Sequence, residues 1–384
     1  MNLIMKIVRH IKRIISYWVY FDYQELILTL KHVIKFNRYR IPVKSVLIIE
    51  PNEFHAEILP GYVNYWNKLD YNVVLVLRRK NIESGVFSKM KDYELPKTYC
   101  IAHYGIKYFL NKKKIKDFDY CFLSSSRLSN TNGFYGLFTS YLGFIPQGGL
   151  GYFMVEHNFH NLRPLLVEGK YDPDRIFMLN AFQDKVFSIP MLNPNYFGAV
   201  SLPRKAEETI FVTIGTLSKR NRDFDELLIA IKSLIDQGLE NFKVYVIGRG
   251  ADAVQLGELP KQIIFLGYLD FTEMYSKLEQ AHFFLPLLDP NSIGQQRYLK
   301  GETTGSWQLC QGFLKPPIIR REFAESYQFS VRNAILYDKD GLSCAMTIAC
   351  KMNSDTYVGM TQEIKCLSNQ VATKSLEGLK AKLE

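Results

Sequence analysis

Short apolar runs, each closed by a glycine, a proline or a polar turn, constrain this chain more than any other feature. In the second half they occupy residues 209–215, 243–248, 263–267, 282–286 and 317–319. Between the first two runs, residues 224–235 carry apolar side chains at helical spacing. Strands that alternate with helices form a parallel sheet covered by helices, so this half predicts a doubly wound α/β domain.

The first half repeats this pattern, with a helical segment at residues 62–68 and apolar runs at 46–50, 72–78, 120–124 and 152–156. Residues 177–203 show little periodicity and several prolines, which is typical of a crossover between domains. A chain of 384 residues can form two domains that each bury a core. The predicted division is a basic helical segment at 1–43, a first α/β domain at 44–200, a second at 201–365, and a C-terminal helix at 366–384 that could return to the first domain.

The N-terminus predicts a basic amphipathic helix. At about 100° per residue, the apolar side chains between Leu3 and Trp18 share one arc, and the opposite arc carries Lys6, Arg9, His10, Lys12 and Arg13. Because charges interrupt the apolar residues throughout, neither a signal peptide nor a membrane-spanning helix is expected. The helix either packs on the protein or lies on an anionic membrane surface through residues 1–20. The formal net charge of +10 also favours an anionic partner.

Six scattered cysteines form no CxxC pair, and several lie in apolar runs. They are interpreted as small core residues of a protein in a reducing compartment. The expected location is cytoplasmic, with the N-terminal helix allowing peripheral attachment to the inner face of the cell membrane. No nucleic-acid partner is expected, because the basic residues belong to no recognisable RNA-binding or DNA-binding module.

The loops at the carboxyl ends of the strands are the candidate sites, since ligands of open parallel sheets bind there. The loop after residue 214 begins with Gly215 and Thr216 and carries Lys219 and Arg222 before a helix. A glycine lets the backbone approach a ligand, and cations beside a helix N-terminus suit a pyrophosphate. A solvated basic turn is the simpler alternative.

The other three loops offer different chemistry. Gly248 and Arg249 end the next strand, but a lone GxG lacks the third glycine of a dinucleotide-binding fingerprint. Gly267 and Tyr268 follow in the next loop. This loop could place either residue against a nucleotide base, through stacking and backbone hydrogen bonds in a flat pocket. The last loop precedes an apolar helix and predicts a phosphate cradle of helix N-terminal amides, formed by Glu302, Thr303, Thr304, Gly305 and Ser306. Plain turns and a simple helix N-cap are the alternatives.

Taken in order, four segments resemble the C-terminal halves of GT-B glycosyltransferases, especially bacterial enzymes similar to family 4 that build surface polysaccharides. The segments, within residues 209–337, are VTIGTLSKRNRDFDELLIAI, VYVIGRGAD, IIFLGYLDFTEMYSKLEQAHFFLPLL and TTGSWQLCQGFLKPPII. The resemblance implies an α/β GT-B architecture, with two Rossmann-like doubly wound domains facing a cleft and an N-terminal helical extension. It also implies a nucleotide-diphosphate sugar as donor and a saccharide or lipid-linked saccharide as acceptor. The sequence itself requires no metal or other cofactor.

The resemblance places the cations of the first loop at the pyrophosphate, the third loop at the base, and the fourth loop at the phosphates. Many retaining enzymes similar to family 4 carry two glutamates separated by seven residues. Here Glu302 is followed eight positions later by Cys310. The resemblance favours a retaining transfer, and the missing glutamate leaves an inverting outcome open.

Two strand-end loops of the first domain carry candidate catalytic residues. One contains His55 and Glu57, and the other contains His157. An inverting transfer needs a group that removes the acceptor hydroxyl proton, whereas a retaining one needs polar support for an oxocarbenium-like state. Enzymes of the kind that the chain resembles often carry a histidine at the position of His157. His157 is therefore the favoured catalytic residue, with His55 or Glu57 as the alternative. A zinc site at His157 and His160 is not expected, since no further ligand follows at a recognisable spacing.

Two other functions remain open from the sequence. The same fold serves nucleotide-sugar epimerases and hydrolases, and fold alone does not separate them from transferases. The missing glutamate also leaves open a non-catalytic subunit that binds a membrane and another transferase.

Overall fold

The computed structural model describes residues 23–384, except residues 51, 53–54, 103–112, 126–150, 182–183, 185, 206, 217–221, 250–259 and 301. The predicted amphipathic helix at residues 1–20 and the glycine-rich turn at 147–150 lie outside the described residues. Within the described part of the chain, no helix is long and apolar enough to cross a membrane.

The first sheet contains the strands β1 Ser45–Glu50, β2 Asn72–Leu77, β3 Lys97–Cys100, β4 Tyr120–Leu123, β5 Gly151–Glu156 and β6 Ile176–Met178. They pair in parallel in the order β3-β2-β1-β4-β5-β6. Every residue of β1 is buried, which explains its continuous apolar run, because helices cover both faces of a parallel sheet. The switch in strand order beside β1 opens the crevice in which such sheets bind ligands.

The second sheet contains β7 Thr209–Ile214, β8 Phe242–Ile247, β9 Ile263–Gly267 and β10 Phe283–Phe284. Its strands are parallel in the order β10-β7-β8-β9. A bridge from Phe284 to Pro317 extends it toward the parallel pair β11 Ile318–Arg320 and β12 Ile335–Tyr337. Two parallel sheets, each with helices packed on them, confirm the predicted fold class.

Helices connect the strands and fill the layers around both sheets. They are α1 Tyr23–Arg38, α2 Leu59–Lys68, α3 Arg79–Glu83, α4 Phe159–Val167, α5 Phe224–Asp236, α6 Phe271–Gln280, α7 Gly305–Gly312, α8 Arg321–Ala324, α9 Leu342–Lys351 and α10 Ser354–Leu383. In α5, Leu227, Ile231 and Leu234 are fully buried, as their helical spacing requires. Asp223 caps this helix by accepting a hydrogen bond from the Glu226 amide.

The long helix α10 contacts both domains. Asn353 caps its first turn, so the helix begins at Ser354, and the segment taken from the sequence as residues 366–384 forms its second part. Ile364 belongs to the hydrophobic cluster of the second sheet, whereas Leu379 belongs to one of the first sheet. Near its end, Lys382 forms an ion pair of 2.8 Å with Asp174.

The two domains also meet beside α6. Lys89 pairs with Glu279 at 2.6 Å, and the Phe271 amide donates to the Ser84 carbonyl at 2.9 Å. The Tyr275 hydroxyl donates to the Val86 carbonyl at 3.4 Å. These contacts hold the first domain against the second.

All six cysteines are free thiols. Cys100, Cys121 and Cys310 are buried, as expected for small core residues. Cys344 and Cys366 are exposed, so that expectation is wrong for these two. Both lie on helices, where the sequence has no apolar strand around them to indicate burial.

Candidate active site

Glu50 ends β1 with a fully buried carboxylate. Its oxygens accept hydrogen bonds from the Ser124 hydroxyl at 2.8 Å, the Ser125 hydroxyl at 2.7 Å and the Asn52 amide at 2.7 Å. Burial raises the pKa of Glu50 to about 7, although these hydrogen bonds and His55 oppose the rise. The carboxylate thereby joins the loop after β1 to the loop after β4.

The loop after β1 then presents His55 and Glu57 at the start of a short 3₁₀ helix. The His55 Nδ1 atom lies 3.7 Å from Glu57 Oε1, and the imidazole side chain is 43% exposed. Interaction with the Glu57 carboxylate raises the pKa of His55 to about 9, while burial acts in the opposite direction. The imidazole is therefore positively charged at neutral pH.

The loop after β5 brings His157 to the same place. Glu156 is buried and accepts hydrogen bonds from the amides of His157 and Asn158 at 2.8 and 2.9 Å. The same oxygen lies 3.1 Å from His157 Nδ1. The His55 and His157 ring centroids are 5.8 Å apart. The ends of β1 and β5 thus place two histidines side by side, each with a carboxylate partner.

On the second domain, Arg222 joins the loop after β7 to the start of α7. Its Nη2 atom donates to the Ile214 carbonyl at 2.8 Å and to the Ser306 hydroxyl at 2.9 Å. The guanidinium is buried, and burial lowers the pKa of Arg222. A Cβ atom at Gly215 would lie 2.9 Å from Nη2, so glycine leaves room for the guanidinium.

The N-terminus of α7 faces the first domain. Thr304 caps it by accepting a hydrogen bond from the Ser306 amide at 3.1 Å. The Thr303 hydroxyl, on the same loop, accepts a hydrogen bond from Gln308 at 3.2 Å. A Cβ atom at Gly305 would lie 3.3 Å from Glu57 Oε1. The carboxylate of the first domain therefore lies against the helix N-terminus of the second.

Glu302 lies on the same side of the cleft as α7. Its side chain is 11% exposed and lies 3.9 Å from Arg297. Burial raises the pKa of Glu302, whereas Arg297, His157 and His160 act in the opposite direction. Cys310, eight positions after Glu302, is buried and donates its thiol hydrogen to the Lys315 carbonyl. This position therefore supplies no carboxylate to the cleft.

The strand ends of β8 and β9 form the rim of the second-domain site. The Gly248 amide donates to the Gly267 carbonyl at 2.8 Å. The Arg249 guanidinium lies 5.2 Å from the centroid of the Tyr268 ring, which is 71% exposed. An exposed aromatic face beside a cation can stack with a flat ligand.

Gly248 permits the close approach of β7 and β8 at this rim. Its φ is +146°, and a Cβ atom would lie 2.0 Å from the Gly215 carbonyl oxygen. We expect Gly248→Ala to destabilise the protein by about 2 kcal/mol or more, because the backbone at Gly215 would have to move away from the added methyl group. Urea unfolding measures this change. Gly238→Ala is the matched control, since Gly238 has a φ of +76° with open space around it. Equal losses in the two variants would contradict the steric account.

The structure brings most of the sequence-predicted residues together where the two domains meet. Thr216 lies beside Gly215 at the start of its loop, and Lys219 lies outside the described residues. Sequence reasoning did not assign roles to Glu50 and Glu156, which bind the loops that carry the histidines. The sequence does contain a signal for both, because each is a carboxylate that ends an apolar strand.

Among the described residues, no cluster of three or more His, Cys, Asp and Glu could hold a metal ion.

We expect Glu50→Gln to reduce the pH dependence of stability between about pH 4.5 and 7. The folded carboxyl has a pKa of about 7 against 4.5 as its ordinary value, so the native state holds a proton that the unfolded chain releases. Wild-type stability therefore falls as pH rises through this window, and glutamine removes the titration. Glu226, whose pKa burial also raises to about 7, leaves a residual slope. Urea unfolding across the window checks this, and unchanged slopes would contradict it.

Known structures match the fold of this chain, while sequence comparison finds no relative. No family model and no curated protein matches the sequence. The chain is similar to an alpha-glucosyltransferase in complex with UDP and DNA, with a TM-score of 0.52 and 12% identity, over 87% of this chain and 94% of that one. It is also similar to the glycotransferase of kitacinnamycin, with a TM-score of 0.50 and 12% identity, over 89% of this chain and all of that one. Two parallel-sheet domains and these likenesses show that the chain has the GT-B fold of glycosyltransferases.

Proposed function

We propose that the protein transfers a sugar from a nucleotide-diphosphate sugar to a saccharide or lipid-linked saccharide acceptor. The observation that carries this proposal is the position of Glu57 beside Gly305, where the first domain meets the N-terminus of α7 in the second. Acid–base groups of one domain there face a helix N-terminus and a buried arginine of the other. Such an arrangement can hold a phosphate leaving group on one side and an acceptor hydroxyl on the other.

In this proposal, the second domain binds the donor. The diphosphate lies at the N-terminus of α7, where the helix dipole and the Arg222–Ser306 pair favour an anion. The base lies at the rim formed by Gly267, Tyr268 and Arg249. The remaining donor contacts come from Gly215, Thr216, Lys219, Gly248, Glu302, Thr303 and Thr304. UDP is the first nucleotide to test, because the similar alpha-glucosyltransferase has UDP bound.

The first domain binds the acceptor and supplies the proton-transfer groups. His55 is already protonated at neutral pH, so it contributes positive charge and offsets Glu57 beside the donor phosphates. His157 has a buried carboxylate partner in Glu156, which is the arrangement of an oriented general base. We therefore assign proton transfer to His157, with Glu57 as the alternative.

We further propose a stereochemical outcome and a cellular role. A retaining transfer is proposed from the resemblance to family 4, with Glu302 as the one glutamate of the expected pair. In a retaining transfer His157 would give polar support to the oxocarbenium-like state, whereas proton removal by His157 belongs to the inverting alternative. The cellular role is synthesis of a bacterial surface polysaccharide such as capsule, lipopolysaccharide or exopolysaccharide. The protein would work in the cytoplasm on the inner membrane face, attached through residues 1–20.

A thermal-shift screen of nucleoside diphosphates, followed by incubation with radiolabelled donors and saccharide acceptors, tests the function. A ligand that binds only the folded state raises the melting temperature, so one nucleotide should do so. The label should then move to the acceptor. Turnover of donor without an acceptor would instead indicate a hydrolase or an epimerase, and absence of any nucleotide binding would indicate a non-catalytic subunit.

A further inference from the structure

Tyr327 holds the loop that leads into α7. Its hydroxyl, which carries one hydrogen, is within hydrogen-bond distance of two carbonyl oxygens, that of Tyr298 at 3.1 Å and that of Glu302. The Glu302 amide in turn donates to the Arg297 carbonyl at 3.3 Å. Tyr327 is buried, and burial raises the pKa of its hydroxyl, so the group stays protonated and able to donate at neutral pH.

The ring of Tyr327 packs on α7 itself. Its centroid lies 4.3 Å from that of Trp307, with 35° between the ring planes, and both residues are buried. Trp307 lies in the first turn of α7, directly after Ser306, whose hydroxyl binds Arg222 at 2.9 Å. One residue thus joins the start of α7, through its ring, to the loop before it, through its hydroxyl.

The neighbouring Ser326 links the same loop to the first domain. Its hydroxyl donates to the Leu299 carbonyl at 3.1 Å, and its carbonyl accepts a hydrogen bond from the Asn180 side chain at 3.3 Å. Asn180 follows β6 of the first sheet. Two consecutive residues therefore fix this loop both on its own domain and against the other one.

Glu302 is the residue whose position these contacts determine. Because its amide and its carbonyl are both hydrogen-bonded, its backbone is held and its side-chain torsions remain free. Its carboxylate lies 3.9 Å from Arg297. The charges of His157 and His160 lower its pKa against the effect of burial, which places the carboxylate close to the histidines of the first domain.

We infer that Tyr327, supported by Ser326, is a positioning residue that sets where the Glu302 carboxylate meets the sugar of the donor. This inference rests on the proposed function, in which Glu302 contacts the donor. A carboxylate accepts hydrogen bonds from sugar hydroxyls but repels a diphosphate, so Glu302 suits the sugar, whereas the start of α7 suits the diphosphate. Loss of the Tyr327 hydroxyl should therefore affect recognition of the sugar more than recognition of the nucleotide.

Titration of matched variants with UDP and with UDP-glucose tests the inference. Tyr327→Phe keeps the ring on Trp307 and removes the hydroxyl, so it should weaken UDP-glucose binding about 10-fold and UDP binding about 2-fold at most. Tyr357→Phe is the matched control, because its buried hydroxyl also donates to a backbone carbonyl, that of His282 at 3.4 Å, at the amino end of β10. This control should bind both ligands as wild type does. Equal weakening of both ligands by Tyr327→Phe would show a general structural role and overturn the inference.

A double-mutant cycle shows whether Tyr327 acts through Glu302. If it does, Tyr327→Phe combined with Glu302→Gln should bind UDP-glucose about as weakly as Glu302→Gln alone, because the two losses are not independent. Additive losses would contradict the inference.

Hydrogen exchange of the ligand-free chain decides the inference even if neither ligand binds, a result that would count against the proposed function. Peptides that span residues 297–304 should exchange about 10-fold faster in Tyr327→Phe and at the wild-type rate in Tyr357→Phe. Unchanged exchange would overturn the inference and leave the proposed function standing. If Tyr327→Phe melts early, Ser326→Ala decides, since it removes only the bond to the Leu299 carbonyl and should accelerate exchange in the same peptides.

Discussion

Arg222→Ala should weaken binding of the donor nucleotide by about 3 kcal/mol, or roughly 150-fold, with much less change for the acceptor. Arg222 is buried between the Ile214 carbonyl and the Ser306 hydroxyl, at the N-terminus of α7. The variant removes the cation proposed to face the diphosphate and also releases the loop that begins at Gly215. Isothermal titration with the nucleotide found in the thermal-shift screen measures the effect.

Two controls separate charge from architecture in that experiment. Arg222→Lys keeps a cation but loses the forked contacts, so it should recover part of the affinity. Arg320→Ala removes another buried arginine of the second domain, one that pairs with Glu322 at 2.8 Å. If Arg320→Ala weakens nucleotide binding as strongly as Arg222→Ala, the loss reflects stability of the domain, and Arg222 has no specific place at the diphosphate.

His157→Ala should lower turnover by about 10²- to 10⁴-fold while leaving donor affinity nearly unchanged, as loss of a general base does. The imidazole projects from the end of β5 beside Glu156, on the acceptor side of the cleft. Steady-state kinetics and nucleotide titration together provide the required comparison.

The neighbouring His160 is the matched control for His157, because it is an exposed histidine on the first turn of α4. His160→Ala should retain most activity. Full activity in His157→Ala would move the proton-transfer role to Glu57, and Glu57→Gln would then carry the large loss. A fall in donor affinity without a fall in turnover would place His157 in donor binding.

The sequence was sufficient to predict the fold class, because buried parallel strands carry continuous apolar runs that few other structures require. It missed β3, β6 and β12, which are strands of three or four residues, and β3 begins with Lys97 and Thr98. The start of α10 was also missed, since its N-cap, Asn353, lies among polar residues that resemble a turn.

The candidate site was predictable as a set of loops, whereas its internal partners were not. Parallel strands bring their carboxyl ends to one edge, so the positions of Gly215, Gly248 and Gly267 follow from the strand pattern. The burial of Glu50 depends on Ser124 and Ser125, which are more than 70 positions away in the chain. Such pairings arise from strand order, which the local sequence does not specify. The donor-binding and catalytic roles of the cleft residues stay predictions.

Transfer of label from a radiolabelled nucleotide-diphosphate sugar to a saccharide acceptor tests the central claim most directly. For wild-type protein, the account predicts a labelled product that requires both donor and acceptor, and almost none for Arg222→Ala or His157→Ala. A panel of common donors and acceptors that gives no labelled product, together with no melting shift from any nucleoside diphosphate, would contradict the assignment of the cleft to glycosyl transfer.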